Sequence, residues 1–237
     1  MVHGAGSARW GFTLLRSLLE ERFTVIAVDR RGRGDSGDGS GAYALESEFE
    51  DVAAVMTDAG EGVLLLGHSY GALVAAGAAA LIEGLPAMVL YEPPMGGVLA
   101  DAETIDRWES LIAAGDRETP VTEFLHVVGG YSHEEIEQLR RTPAWELRKQ
   151  AFHTVPRELR AEAELALESL NLGELGLPVG MLVGSESPDW ARRSTDAYAR
   201  ALPRATVYRL EGHGHGGLLS GPELVADRLT GIFDRSG

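Results

Sequence analysis

The sequence predicts an α/β protein: a doubly wound, mostly parallel sheet, interrupted once by a wholly helical segment. Three observations predict it. Short apolar runs alternate with helical patterns along most of the chain. One such run, Val63-Leu64-Leu65-Leu66, feeds directly into Gly67-His68-Ser69-Tyr70-Gly71 and an alanine-rich helical pattern. Between residues 96 and 173 the alternation stops, and helical periodicity continues without a convincing strand.

Strands are expected over 24–28, 63–66, 87–91, 179–183 and 206–210. Each is short and rich in Val, Ile or Leu, the pattern of strands covered on both faces. Helices are expected over 12–20, 45–59, 72–81, 190–201 and 222–233, which completes βαβ units whose strands run parallel. The interruption divides into helices over 101–114, 119–128, 132–140, 144–151 and 156–170. Ser132-His133-Glu134-Glu135 has the form of a capping box, and Pro156 suits a first helical turn. The expected organisation is therefore a core of residues 1–95 and 174–237 with a helical cap, 96–173, over the carboxyl edge of the sheet. At the start, Met1-Val2-His3-Gly4 stands where an interior strand of such a sheet would be ending. The first strands are thus expected to be missing or shortened, with one sheet edge exposed.

A length of 237 residues suits one domain with a full core. A net charge of −15 argues against a nucleic-acid surface, and no basic run exceeds Arg30-Arg31 with Arg33, which reads as a solvated loop. The absence of cysteine excludes disulfides, thiolate metal sites and cysteine nucleophiles. No apolar stretch approaches the length of a membrane span and no signal-peptide pattern opens the chain, so a soluble cytoplasmic protein is expected, with no membrane partner.

The chemistry centres on Ser69. A chain that turns from strand to helix within G-x-S-x-G holds its serine at the apex of a strained turn, with the hydroxyl exposed at the amino end of the helix. A serine hydroxyl is a weak nucleophile and needs a base, an orienting carboxylate and donors for a developing oxyanion. Leu210-Glu211-Gly212-His213-Gly214-His215-Gly216-Gly217 offers a histidine on a flexible loop after the last strand. His3-Gly4-Ala5-Gly6 offers free backbone amides on a strand-to-helix loop. A zinc site at His213 and His215 is disfavoured, because no further ligand cluster accompanies them.

These motifs together resemble the α/β-hydrolase fold superfamily, in its branch of small, lidded serine hydrolases. The likeness runs through His3-Gly4, the turn Asp29-Arg30-Arg31-Gly32-Arg33-Gly34-Asp35-Ser36, the elbow at 67–71 and the terminal histidine loop, in the family's order. The resemblance implies Ser69 as nucleophile, His215 as base, and the N–H groups of Ala5 and Tyr70 as the oxyanion hole. His215 is preferred over His213 by its spacing to Pro222 and the final helix. The acid departs from the commoner pattern: Ser187 stands where an aspartate is usual, with Glu186 and Asp189 beside it. A second family solution places the acid after the next strand, at Glu92 in Leu90-Tyr91-Glu92-Pro93-Pro94. Glu92 is preferred, because a carboxylate stiffened by two prolines is well placed to hold a histidine in one tautomer.

The implied activity is hydrolysis of a carboxylic ester, lactone or thioester, a small-molecule acyl substrate, through an acyl-enzyme and without cofactor. A carbon–carbon bond hydrolase, a cofactor-free perhydrolase and a non-catalytic binding protein remain open alternatives. The serine disfavours the epoxide hydrolases and dehalogenases of this fold, whose nucleophile is aspartate. Of the remaining residues, Asp29 is expected to bond backbone amides and His68 to pack. Trp10 is expected to line the pocket or pack in the core, and His126 and His153 to lie at the surface or pack in the lid. One or two of Trp108, Phe124, Tyr131, Trp145 and Phe152 are expected to touch substrate.

Overall fold

The structure, a computed structural model, describes residues 1–235. A 3₁₀ turn at Arg9–Phe12 leads into α1 (Thr13–Leu19), followed by α2 (Leu45–Ala59), β1 (Leu65–His68), α3 (Tyr70–Ala79) and β2 (Met88–Tyr91). Five helices follow without a strand: α4 (Ala102–Ala113), α5 (Glu118–Val127), α6 (His133–Arg140), α7 (Pro143–Ala151) and α8 (Val155–Glu164). The chain then re-enters the sheet with β3 (Val179–Gly184), α9 (Asp189–Ala201), β4 (Ala205–Leu210), α10 (Gly217–Ser220) and α11 (Pro222–Phe233).

The strands run parallel in the order β1-β2-β3-β4, with Leu65 opposite Met88, Met88 opposite Val179 and Val179 opposite Ala205. Every residue of β2 and β3 is buried, as continuous apolar runs require of central parallel strands. At the far edge β4 leaves Val207 exposed. Helix α3 is buried at all ten positions, and its small residues let neighbours approach. A Cβ on Gly77 would lie 2.4 Å from the Phe49 ring of α2. One apolar cluster joins α2, α3 and α9 to the inserted helices, and a second packs α1 and α11 on the opposite face.

Three sequence expectations need correction. Residues 24–28 form no regular strand. Only Val28 N–H to Met1 O (3.1 Å) and the terminal ammonium to Ile26 O (2.6 Å) join them to their neighbour. That neighbour is the short Met1–Val2 segment, which itself pairs with β1 through Val2 N–H to Leu66 O (2.8 Å) and His68 N–H to Val2 O (3.0 Å). Too few pairs are available for a ladder, and this flank is open along an apolar hollow of about 360 Å³ lined by Val25, Val28, Met56 and Phe233. The helix expected over 156–170 stops at Glu164, where Leu165 turns extended (ψ 121°), and a separate 3₁₀ turn spans Leu167–Leu170.

The third correction concerns Arg30 and Arg33, which are not solvated. They are 4% and 2% exposed. Arg30 Nη1 grips both oxygens of Glu48 at 2.8 Å, its Nη2 reaches Glu158 at 3.0 Å, and Arg33 meets Glu158 at 2.6 Å. Two cations and two anions leave the cluster neutral, the condition under which charges tolerate burial. Burial pushes the Glu158 carboxyl up, but the two arginines more than offset this and hold it below its ordinary range. Glu48 belongs to α2 and Glu158 to α8, so the cluster fastens the inserted helices to the sheet domain.

The insertion has its own core, where Trp108, Phe124 and Phe152 meet edge to face with centroids 5.4–6.0 Å apart. The capping box at α6 forms, with Ser132 N–H donating to Glu135 Oε2 (2.8 Å) and Glu135 N–H to Ser132 Oγ (3.2 Å). Glu162, fully buried on α8, accepts the Gly97 N–H at 2.9 Å.

Replacing Glu158 by Gln should destabilise the protein by about 3–5 kcal/mol in denaturant melts, because two buried guanidinium groups lose their shared counter-charge. Glu162 should act in the opposite sense. Burial pushes its carboxyl up to about 7, so the folded state holds a proton that the unfolded chain releases near pH 4.3. Stability therefore falls as pH rises from about 4.5 to 7. Glu162→Gln should match the parent below pH 4.5 and exceed it by about 1–3 kcal/mol at pH 8, read from melts across that range.

Candidate active site

Ser69 stands between β1 and α3 with φ 56° and ψ −128°, a backbone conformation that L-residues rarely adopt. Its neighbours enforce it. Ser69 N–H donates to Tyr91 O (2.8 Å), and Ser69 O accepts from Ala72 N–H (2.7 Å). The flanking glycines are obligatory: a Cβ on Gly67 would lie 2.4 Å from Gly71 O, and one on Gly71 would lie 2.3 Å from Val2 O. The loop after Val2 presses on the serine as well, since a Cβ on Gly4 would sit 2.9 Å from Ser69 Cβ. Among the described residues, no backbone carbonyl engages the N–H of Ala5 or of Tyr70. Tyr70 opens α3, where amides lack intrahelical acceptors and the helix dipole is positive.

His3 holds this loop in place. Its Nε2 accepts the Arg30 N–H (3.1 Å), which leaves the Nδ1 proton for Gly4 O (2.9 Å). Burial, with the nearby Arg30 and Arg33, drives His3 well below its ordinary pKa, so the ring is neutral.

Glu92 follows β2 with φ 50° and is fully buried. Its Oε2 meets His215 Nδ1 at 2.5 Å, and its Oε1 accepts from Gly184 N–H (2.8 Å) and from Ser187 Oγ. Ser187, in the slot where an aspartate is usual, is therefore a donor to Glu92. With the Nδ1 proton directed at a carboxylate, Nε2 of His215 is the basic nitrogen. His215 is 7% exposed and lies between the rings of His68 and Trp190, at 4.7 and 5.0 Å. His68 packs, its Nε2 3.0 Å from His215 O, and burial followed by the charge of His215 drives its pKa well down.

Ser69, His215 and Ala5 line one cavity of about 70 Å³, with Phe124 and Tyr131 contributed by the insertion. The serine hydroxyl makes no hydrogen bond to the imidazole, a separation common before substrate aligns the two groups. The rival acids lie elsewhere. Glu186 and Asp189 are exposed, and Asp189 pairs with Arg192. His213 contacts Ser220 Oγ at 3.0 Å rather than the cavity. Asp29 accepts the N–H groups of Arg9 (2.8 Å) and Asp35 (3.2 Å). Trp10 lies beneath the Arg148 guanidinium, His126 stacks on His133, and both His126 and His153 are exposed. Among the described residues, no cluster of three or more His, Asp or Glu side chains could hold a metal, and no helix is long and apolar enough to cross a membrane.

Residues 1–228 match the alpha/beta hydrolase family. An alpha/beta hydrolase from Sphaerobacter thermophilus is 31% identical and superposes with a TM-score of 0.83 over 98% of this chain and 90% of that one. An esterase from Exiguobacterium antarcticum, at 20% identity, shares the fold with a TM-score of 0.77 over 99% and 90%. The 2-(acetamidomethylene)succinate hydrolase of Mesorhizobium japonicum is 32% identical over 119 residues, which span 48% of this chain but only 41% of that relative. The strained serine elbow, the parallel sheet beneath it and the match across nearly the whole sequence agree: this chain belongs to the alpha/beta hydrolase family.

Proposed function

We propose that the protein is a serine hydrolase acting on a carboxylic ester, lactone or thioester. Glu92 holds the His215 ring so that Nε2 takes the Ser69 proton as Oγ attacks the acyl carbonyl. The oxyanion is received by the N–H groups of Ala5 and Tyr70, and the imidazolium returns its proton to the leaving group. Water, deprotonated by the same histidine, then releases the acid. The observation that carries this reading is the 2.5 Å contact between Glu92 and His215, on a ring that shares a cavity with an elbow serine. The esterases and hydrolases among the structural neighbours support hydrolysis as the reaction class. In this reading the helices between residues 96 and 173 act as a lid, because Phe124 and Tyr131 form part of the cavity wall.

A fluorophosphonate probe should label Ser69, and the label should vanish in Ser69→Ala together with turnover of p-nitrophenyl acetate. Labelling without turnover of any ester, lactone or thioester would favour a binding protein, and cleavage confined to a β-diketone would favour carbon–carbon hydrolysis. Glu92→Gln should lower kcat by about 10²–10⁴ with little change in KM, as loss of the orienting acid does elsewhere. Glu186→Ala and Asp189→Ala should stay within about twofold of the parent, since neither carboxylate reaches the histidine.

A further inference from the structure

Arg148, on α7 of the insertion, lines the same cavity as Ser69 and His215. Among the described residues it has neither an ion pair nor a hydrogen bond, and its Nε is buried without a partner. The guanidinium is held over the Trp10 ring at 5.0 Å. Burial depresses its pKa, yet a guanidinium remains protonated in any protein environment. A partly buried cation with no counter-charge is costly, and the chain does not lack anions: it carries 36 acidic side chains against 21 basic ones. Elsewhere the fold neutralises its buried arginines, Arg30 and Arg33, with carboxylates from two separate helices. The hydroxyl of Tyr131, on the same cavity wall, likewise donates to no protein acceptor.

We infer that Arg148, with the Tyr131 hydroxyl, forms a carboxylate-binding subsite beside Ser69, so that the substrate is a short acyl compound bearing its own carboxylate. The inference rests on the hydrolase reading for its chemistry and names the substrate class of that same site. The guanidinium fork matches a carboxylate in two parallel hydrogen bonds, and the stacked indole fixes the fork before substrate arrives. Arg148 and Ser69 line the same small cavity, so the carboxylate lies within a short chain of the scissile carbonyl. Trp10 belongs to the 3₁₀ turn before α1 and Arg148 to α7 of the insertion, so their contact joins the two parts of the chain.

The test compares mono-p-nitrophenyl succinate with its neutral methyl ester. The parent should favour the anion at least tenfold in kcat/KM. Arg148→Gln should lose about 10–100-fold on the anion, mainly through KM, and stay within about threefold on the neutral ester, with Arg148→Lys between. Equal losses on both esters, or a parent that prefers the neutral one, would overturn the inference while leaving the hydrolase intact. Thermal stability of Arg148→Gln should equal or exceed that of the parent, whereas a merely structural arginine would lower it. Titration of the Ser69→Ala protein with succinate provides a readout independent of turnover. Saturable binding that is lost in the Ser69→Ala, Arg148→Gln pair supports the subsite even if no ester is cleaved. Absence of succinate binding to Ser69→Ala overturns it even if esters are.

Discussion

The structure around the serine depends on one buried carboxylate. Glu92 is withdrawn from water at the end of β2, and burial of such a group is tolerable only when its oxygens are satisfied. Its donors come from three places: the Gly184 N–H at the end of β3, the Ser187 hydroxyl in the following loop, and the His215 ring from the loop after β4. Each arm fixes one strand end relative to another. The positive φ of Glu92 is what turns its side chain under the sheet rim, and the Pro93-Pro94 pair stiffens the exit. The imidazole thus has one tautomer and one tilt, clamped between His68 and Trp190.

The serine elbow is the complementary constraint, and its sequence signature is local, although Val2 and His3 press on Gly71 from a segment distant in the chain. Gly67, Ser69 and Gly71 sit within five residues, and each crowding atom belongs to β1, α3 or the adjacent Val2-His3 segment. Local constraints leave a readable trace, which is why Ser69 and its turn are legible in the residue order alone. The apolar runs of β2 and β3 are legible for the same reason. Even there boundaries drift: the run beginning at Val63 enters the ladder only at Leu65, whose N–H reaches Ala87 O at 3.3 Å. Residues 24–28 have the composition of a strand but meet Met1 through only two backbone hydrogen bonds, and composition carries no information about the partner.

What stays illegible is long-range charge matching. Glu92 is readable as the preferred acid from the two prolines that follow it, but its donors at Gly184 and Ser187 lie 92 and 95 residues away, so sequence alone does not exclude rivals such as Glu186. Arg30, Arg31 and Arg33 look alike in a glycine-rich turn. Two of them point inward to Glu158, 128 residues from Arg30, while Arg31 turns outward to Asp51. A basic tripeptide in a loop is most often solvated, and here the reverse holds because α8 delivers a carboxylate to the spot. Arg148 leaves no trace at all in the sequence, since its distinguishing property is the absence of a partner.

These charges connect the anchoring of the inserted helices to the chemistry beneath them. At α8 the insertion is fastened by a neutral, fully dry cluster, in which removal of any member leaves an uncompensated charge. At α7, nearby in the chain, the same insertion carries Arg148, which pairs with no carboxylate among the described residues and lies against the Trp10 indole. A rigid anchor is what makes the second arrangement usable. If α7 could drift, Arg148 would move to water or to one of the many surface carboxylates and its charge would be spent there. Held in place, it keeps its field directed into the cavity that Ser69 also lines. The acidic balance of the whole chain therefore does not describe the potential at the serine, because that potential is set by the few groups whose solvent has been removed.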